Sequence, residues 1–108
     1  MPSDPRTSAV ASPTGSSHDD EPLPSVSVVI PTRDRPVLMR RAVEAVLAQR
    51  YEGEVECLVV FDQSDPELPD VDIPPGRRLK ALRNERTPGL AGARNTGAMA
   101  ATGELLAS

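Results

Sequence analysis

Two short apolar runs rich in β-branched residues, Val26-Ser-Val-Val-Ile30 and Val55-Glu-Cys-Leu-Val-Val-Phe61, stand on either side of a stretch with helical periodicity. Runs of this length, apolar without strict alternation, suit strands covered on both faces of a parallel sheet. Between them Met39, Ala42, Val43, Val46 and Leu47 recur at helical spacing and lay one apolar stripe along a helix. Asp34 is expected to cap that helix and Pro36 to sit in its first turn. Tyr51-Glu-Gly-Glu54 ends it. Parallel strands joined through a helix need a crossover, which the chirality of the chain makes right-handed. The pattern therefore predicts an α/β fold with an open, mostly parallel sheet and flanking helices.

The rest of the chain extends that pattern. Prolines at 66, 69, 74 and 75 with aspartates at 65, 70 and 72 leave no regular period, so residues 63–76 are expected as a long surface loop. Leu79-Lys-Ala-Leu-Arg83 fits a short edge strand. From Gly89 to Ala101 small residues dominate, and Ala93, Gly97, Ala98 and Ala101 are expected on the side of a helix that faces the sheet. Gly92 and Gly97 each cost about 1 kcal/mol relative to Ala in a helix interior, and close approach to the sheet is the compensating reason for them. Gly103 ends this helix, and Glu104-Leu-Leu-Ala-Ser108 starts a fourth strand. Residues 1–24 are rich in Pro and Ser and carry Asp19-Asp20-Glu21, the composition of a disordered, solvated tail. That segment has Asp4, Asp19, Asp20 and Glu21 against Arg6, so it holds most of the chain's net charge of -4.

Composition removes several functional classes. A chain of 108 residues holds one small domain. No apolar run approaches the roughly 20 residues of a membrane span, and the first residues lack the apolar stretch of a signal peptide, which reads as soluble and cytoplasmic. Cys57 is the single cysteine, so neither an intrachain disulfide nor a multi-cysteine zinc site can be built, and the lone His18 adds no metal cluster. Inside an apolar strand with no neighbouring base, Cys57 reads as an inert buried thiol. A pI near 4.9, with no Trp, one Tyr and one Phe, argues against a nucleic-acid partner. Gly89-Leu-Ala-Gly92-Ala-Arg-Asn-Thr-Gly97 has neither the glycine spacing of a dinucleotide fold nor the Lys-Ser/Thr of a P-loop. A response-regulator-like domain would need an acidic pair after the first strand, where this chain has Pro31-Thr32.

Ligands of open parallel sheets bind beyond the carboxyl ends of the strands. Those ends carry Thr32, Arg33 and Asp34 after the first strand and Asp62, Gln63, Ser64 and Asp65 after the second, with Arg94 and Asn95 on the glycine-rich helix. Asp62 or Gln63 could accept the imide hydrogen of a pyrimidine, while Arg33, Arg94 and free backbone amides could meet phosphate charge. Together these groups suggest a nucleotide site. Each also has a plain structural role open to it: Asp62 as a loop cap, Arg94 as an ion-pair partner of Asp62 or Glu104, Asn95 as a brace for a turn.

Four segments in order, Val26-Ser-Val-Val-Ile-Pro-Thr-Arg-Asp-Arg-Pro36, Arg40-Arg-Ala-Val-Glu-Ala-Val-Leu-Ala-Gln49, Leu58-Val-Val-Phe-Asp-Gln-Ser-Asp65 and Gly89-Leu-Ala-Gly-Ala-Arg-Asn-Thr-Gly97, resemble family 2 glycosyltransferases of the GT-A (Rossmann-like) fold across residues 25–108. The resemblance implies an inverting transfer from a nucleotide-diphosphate sugar, commonly a UDP-sugar, to a glycan or lipid-linked acceptor hydroxyl, with a divalent cation, Mg or Mn. Carried over by position, it implies that Thr32 and Arg33 lie against the nucleotide, that Asp62 and Gln63 lie by the base, and that Arg94 faces the donor. The family often has two acidic residues where this chain has Asp62-Gln63. Its Asp-x-Asp metal motif and general base would follow Ser108, so the resemblance implies the donor-binding half, truncated in the fourth strand, with no metal ligand or catalytic base of its own. The alternative is a noncatalytic nucleotide-binding or interaction module, or a nonfunctional remnant. Peripheral attachment to a membrane stays compatible with either.

Overall fold

The two apolar runs form adjacent parallel strands, β1 (Val26–Thr32) and β2 (Val55–Phe61), joined through α1 (Pro36–Leu47). The computed structural model describes residues 23–107, so residues 1–22 of the expected tail, with His18, and Ser108 lie outside the described residues. β3 (Arg77–Arg83) pairs with β2, and β4 (Leu105–Ala107), which follows α2 (Leu90–Ala100), pairs with β1. The sheet is parallel throughout in the order β3-β2-β1-β4, with β3 on the edge as its composition predicts. The order reverses at β1, the crevice where sheets of this type place ligands.

β1 continues past the apolar run through Pro31 to Thr32. The bonds Val26 N to Glu54 O and Asp62 N to Thr32 O turn the even-numbered residues of β1 toward β2. Pro31 therefore directs its missing N–H to the opposite edge, where β4 covers only Val26 to Val28, and no bond to β2 is lost.

Every residue of β2 is buried, because α1 covers one face of the sheet and α2 the other. Cys57, Val59 and Phe61 pack with Met39, Val43 and Leu47 of α1. Leu58 and Val60 pack with Val29 and with Ala93 of α2. Burial pushes the Cys57 thiol up to about 11, which keeps it protonated and unreactive.

Two local expectations are corrected. Asp34 does not cap α1: it adopts a left-handed φ of 51°, Arg35 is the N-cap, and no side chain caps the helix. The turn at Asp34 places its carboxyl one residue too early, and Pro36 starts the helix through its fixed φ. In α2 the buried residues are Gly92, Ala93 and Gly97, while Ala98 is exposed. At about 100° per residue, Ala98 lies about 140° round the helix from Ala93, whereas Gly97 lies about 40° away. The two glycines also answer to different neighbours. A Cβ on Gly97 would overlap the methyls of Val29, so this glycine sets the distance from α2 to the sheet. A Cβ on Gly92 would overlap the carbonyl oxygen of Thr87, so that glycine lets the preceding loop fold back on its own helix.

Glu56, at the amino end of β2, is 2% exposed and interrupts an otherwise apolar strand. Ser27 Oγ donates to it at 2.8 Å, Thr102 N at 3.0 Å and Lys80 Nζ at 2.9 Å, and Gly103 N donates to Ser27 Oγ at 2.8 Å. One carboxylate thus joins β1, β2, β3 and the turn after α2. Burial raises its pKa, but Lys80, Thr102 and Ser27 outweigh that and bring it down to about 2.

Two outcomes are expected in denaturant-unfolding measurements. Because the folded pKa of Glu56 is depressed, its contribution is complete above the ordinary carboxylate value and is lost as pH falls from about 4.5 toward 2. The full shift would be worth roughly 3 kcal/mol, and half-exposed, salt-screened Lys80 and Arg78 reduce this to on the order of 2. Glu56→Gln should flatten the fall in stability across that pH window. Gly97→Ala should destabilise the protein, since overpacking against buried Val29 costs about 1–3 kcal/mol and exceeds the roughly 1 kcal/mol gained in helix propensity. Adding Val29→Ala should recover part of that loss, and additive losses would refute the contact.

Candidate functional site

The carboxyl ends of three strands are tied side by side. Asp62 N donates to Thr32 O and Asn84 N donates to Phe61 O, each at 2.9 Å, so the polar residues following β1, β2 and β3 share one rim. An open pocket of about 470 Å³ lies there, between the first turns of α1 and α2. Ile30, Leu38, Met39 and Ala42 form an apolar wall, and Thr32, Arg33, Arg35, Asp62 and Gly89 supply polar groups. A smaller cavity of about 180 Å³ opens between the β1 and β2 ends, with Thr32, Asp34, Phe61 and Asp65 in its wall.

Asp62 is the centre of the rim. It is the next residue along the stripe Glu56, Leu58, Val60 that faces α2, and it is 5% exposed. Its Oδ1 accepts Asn84 Nδ2 at 2.9 Å, and its Oδ2 accepts Gly89 N at 2.9 Å and Gln63 Nε2 at 3.3 Å. The Asn84 hydrogen bond holds its carboxyl below the usual carboxylate range against the opposing effect of burial, assisted by Gly89, Gln63 and the charge of Arg33. Asp62 is therefore ionised at neutral pH. A carboxylate offers about four acceptor positions, of which three are occupied here, two of them on Oδ2. The remaining capacity is on Oδ1.

The structure brings together Thr32, Arg33 and Asp62 in one pocket wall. Gln63 stands beside them, exposed and outside that wall, with a left-handed φ of 58°. Its Nε2 is turned to Asp62, which leaves Oε1 as the outward acceptor. Arg94 lies on an exposed position of α2, one turn beyond pocket-lining Leu90 and on the same side of the helix. Three contributors were not singled out from the sequence. Arg35 stands between the expected cap Asp34 and Pro36, Gly89 opens the glycine-rich stretch, and Asn84 follows β3 just as Asp62 follows β2. Among the described residues no group of three or more His, Cys, Asp or Glu side chains comes together that could hold a metal ion.

The residues of this rim fall within the span matched by a protein-family model. The model of the family described as glycosyl transferase family 2 matches residues 27–108, from the second residue of β1 through α2 and β4. No curated protein and no solved structure matches the chain at a significant level. The matched span contains the whole parallel sheet apart from Val26 and every residue of the pocket wall, and on that ground this chain belongs to glycosyl transferase family 2.

Proposed function

We propose that the pocket at the β1 and β2 ends receives the nucleotide of a nucleotide-diphosphate sugar, a UDP-sugar in the first instance. The observation that supports this most directly is Asp62: a buried, ionised carboxylate held by three donors and retaining acceptor capacity at the edge of a pocket that also contains Arg33 and Arg35. A pyrimidine imide N–H is a single donor of the kind Oδ1 can take, and the outward Oε1 of Gln63 offers a second, uncharged acceptor. Arg33 and Arg35 bring positive charge to the same pocket, where a diphosphate adds negative charge, and Arg94 extends it along α2. Thr32 offers a hydroxyl at the end of β1.

In the reaction of such a site, an acceptor hydroxyl attacks the anomeric carbon from the side opposite the diphosphate. The new carbon–oxygen bond forms as the bond to the diphosphate oxygen breaks, which inverts the anomeric centre, and the hydroxyl proton passes to a general base. The described residues serve the donor side of this step: they bind and orient the nucleotide and meet the charge of the leaving diphosphate. A divalent cation, when bound, would offset more of that charge.

Titration of UDP into the chain, followed by calorimetry, should show weak binding that changes little with Mg or Mn and exceeds that of ADP. Asp62→Asn should weaken UDP about ten-fold, the size expected for loss of a charge-assisted hydrogen bond. Equal affinity of the variant would remove Asp62 from the base site, and tight, strictly metal-dependent binding would place cation ligands within this chain.

A further inference from the structure

The hydrogen-bonding capacity of the Asn84 side chain at the rim is completely used. Its Nδ2 donates to Asp62 Oδ1 at 2.9 Å and to Thr87 O at 3.1 Å, and its Oδ1 accepts Thr96 Oγ1 at 2.8 Å and Arg86 N at 3.1 Å. The partners allow only one orientation of the amide. Arg86 N–H can only donate and Thr87 C=O can only accept, so a flipped carboxamide would set oxygen against a carbonyl and a carboxylate, and nitrogen against an N–H. The backbone of Asn84 is fixed too, through its bond to Phe61 O. Four parts of the fold meet at this side chain: the end of β3, the loop 85–88, α2 through Thr96, and Asp62.

We infer that Asn84 is a positioning residue, which sets the direction of the Asp62 carboxylate and thereby the acceptor that Asp62 Oδ1 presents to a ligand N–H in the pocket. The ligand part of this rests on the nucleotide reading above. Gly89 N and Gln63 Nε2 both engage Oδ2, so without Asn84 nothing in the described contacts holds Oδ1. The carboxylate is then held from Oδ2 alone, and Oδ1 loses the contact that sets its direction. Thr96 acts one step further out: its hydroxyl fixes the oxygen end of the amide from the body of α2, at the level that Gly97 holds close to Val29.

The test uses Asn84→Ala, Asn84→Asp and Thr96→Val in the full chain, each checked for folding by its melting curve. With the Asp62 carboxyl carbon followed by NMR through a pH titration without ligand, Asn84→Ala should raise the Asp62 midpoint, and Asn84→Asp should raise it further by placing like charge beside it. Thr96→Val keeps the Asn84 to Asp62 bond and should move the midpoint less than either. UDP affinity then supplies a second readout. Asn84→Ala should weaken UDP about ten-fold, and the double variant Asn84→Ala with Asp62→Asn should be no weaker than Asp62→Asn alone, because both remove the same contact. An unmoved Asp62 midpoint in folded Asn84→Ala, or losses of UDP affinity that add in the double variant, would overturn the assignment. A chain that does not bind UDP would overturn the nucleotide reading instead, and the midpoint would still decide whether Asn84 controls the carboxylate.

Discussion

β2 is covered on both faces, and that single constraint dictates what its polar residues must do. Along the face toward α2 it carries Glu56, Leu58, Val60 and then Asp62, so two carboxylates cap the two ends of one buried apolar stripe. A buried carboxylate without partners costs too much to persist. Each is therefore surrounded by donors drawn from other parts of the chain. Satisfying β2 is what fastens β1, β3, α2 and the connecting turns to one another.

The two ends are satisfied in different ways, and the difference separates stability from binding. Glu56 is enclosed by Ser27, Thr102 and Lys80, with Arg78 nearby, and its partners span elements that are far apart in the chain. It acts as a fastening for the amino end of the sheet. Asp62 is held by one side-chain amide on Oδ1 and by two donors on Oδ2, and it borders an open pocket. The same residue chemistry gives a closed network at one end and a presented acceptor at the other, because the ligand crevice of such a sheet opens beyond the carboxyl ends of its strands.

Much of this architecture can be read from the chain itself. The apolar run of β2 and the spacing of Met39, Val43 and Leu47 place a strand and a helix at their observed positions, since local periodicity and burial agree there. The small residues from Gly89 onward announce a helix lying close on its support. Their exact face depends on helical phase, which is why Ala98 lies outside it and Gly92 meets the Thr87 carbonyl rather than the sheet. Asp34 shows the limit of capping rules: its residue type is right, but a left-handed turn displaces it from the cap. Thr32, Arg33 and Asp62 are legible as rim residues because each stands at or just after a strand end. Asn84 has the same placement, and it escapes notice because an asparagine after an edge strand equally suits an ordinary turn. Glu56 leaves a clearer signal, a lone charge within seven otherwise apolar residues.

The sequence by itself determined the order of strands and helices, the parallel α/β class and the end of the sheet where polar groups collect, because these follow from hydrophobic period, chain length and the crossover rule. Only the tertiary structure decided which polar residues meet. The contacts of Asn84 with Asp62, of Thr96 with Asn84, and of Thr102 with Glu56 join residues 22, 12 and 46 positions apart. No local pattern specifies them. They are set by the closeness of α2 to β1, which Gly97 permits, and by the stagger of three strand ends that the backbone ladder fixes.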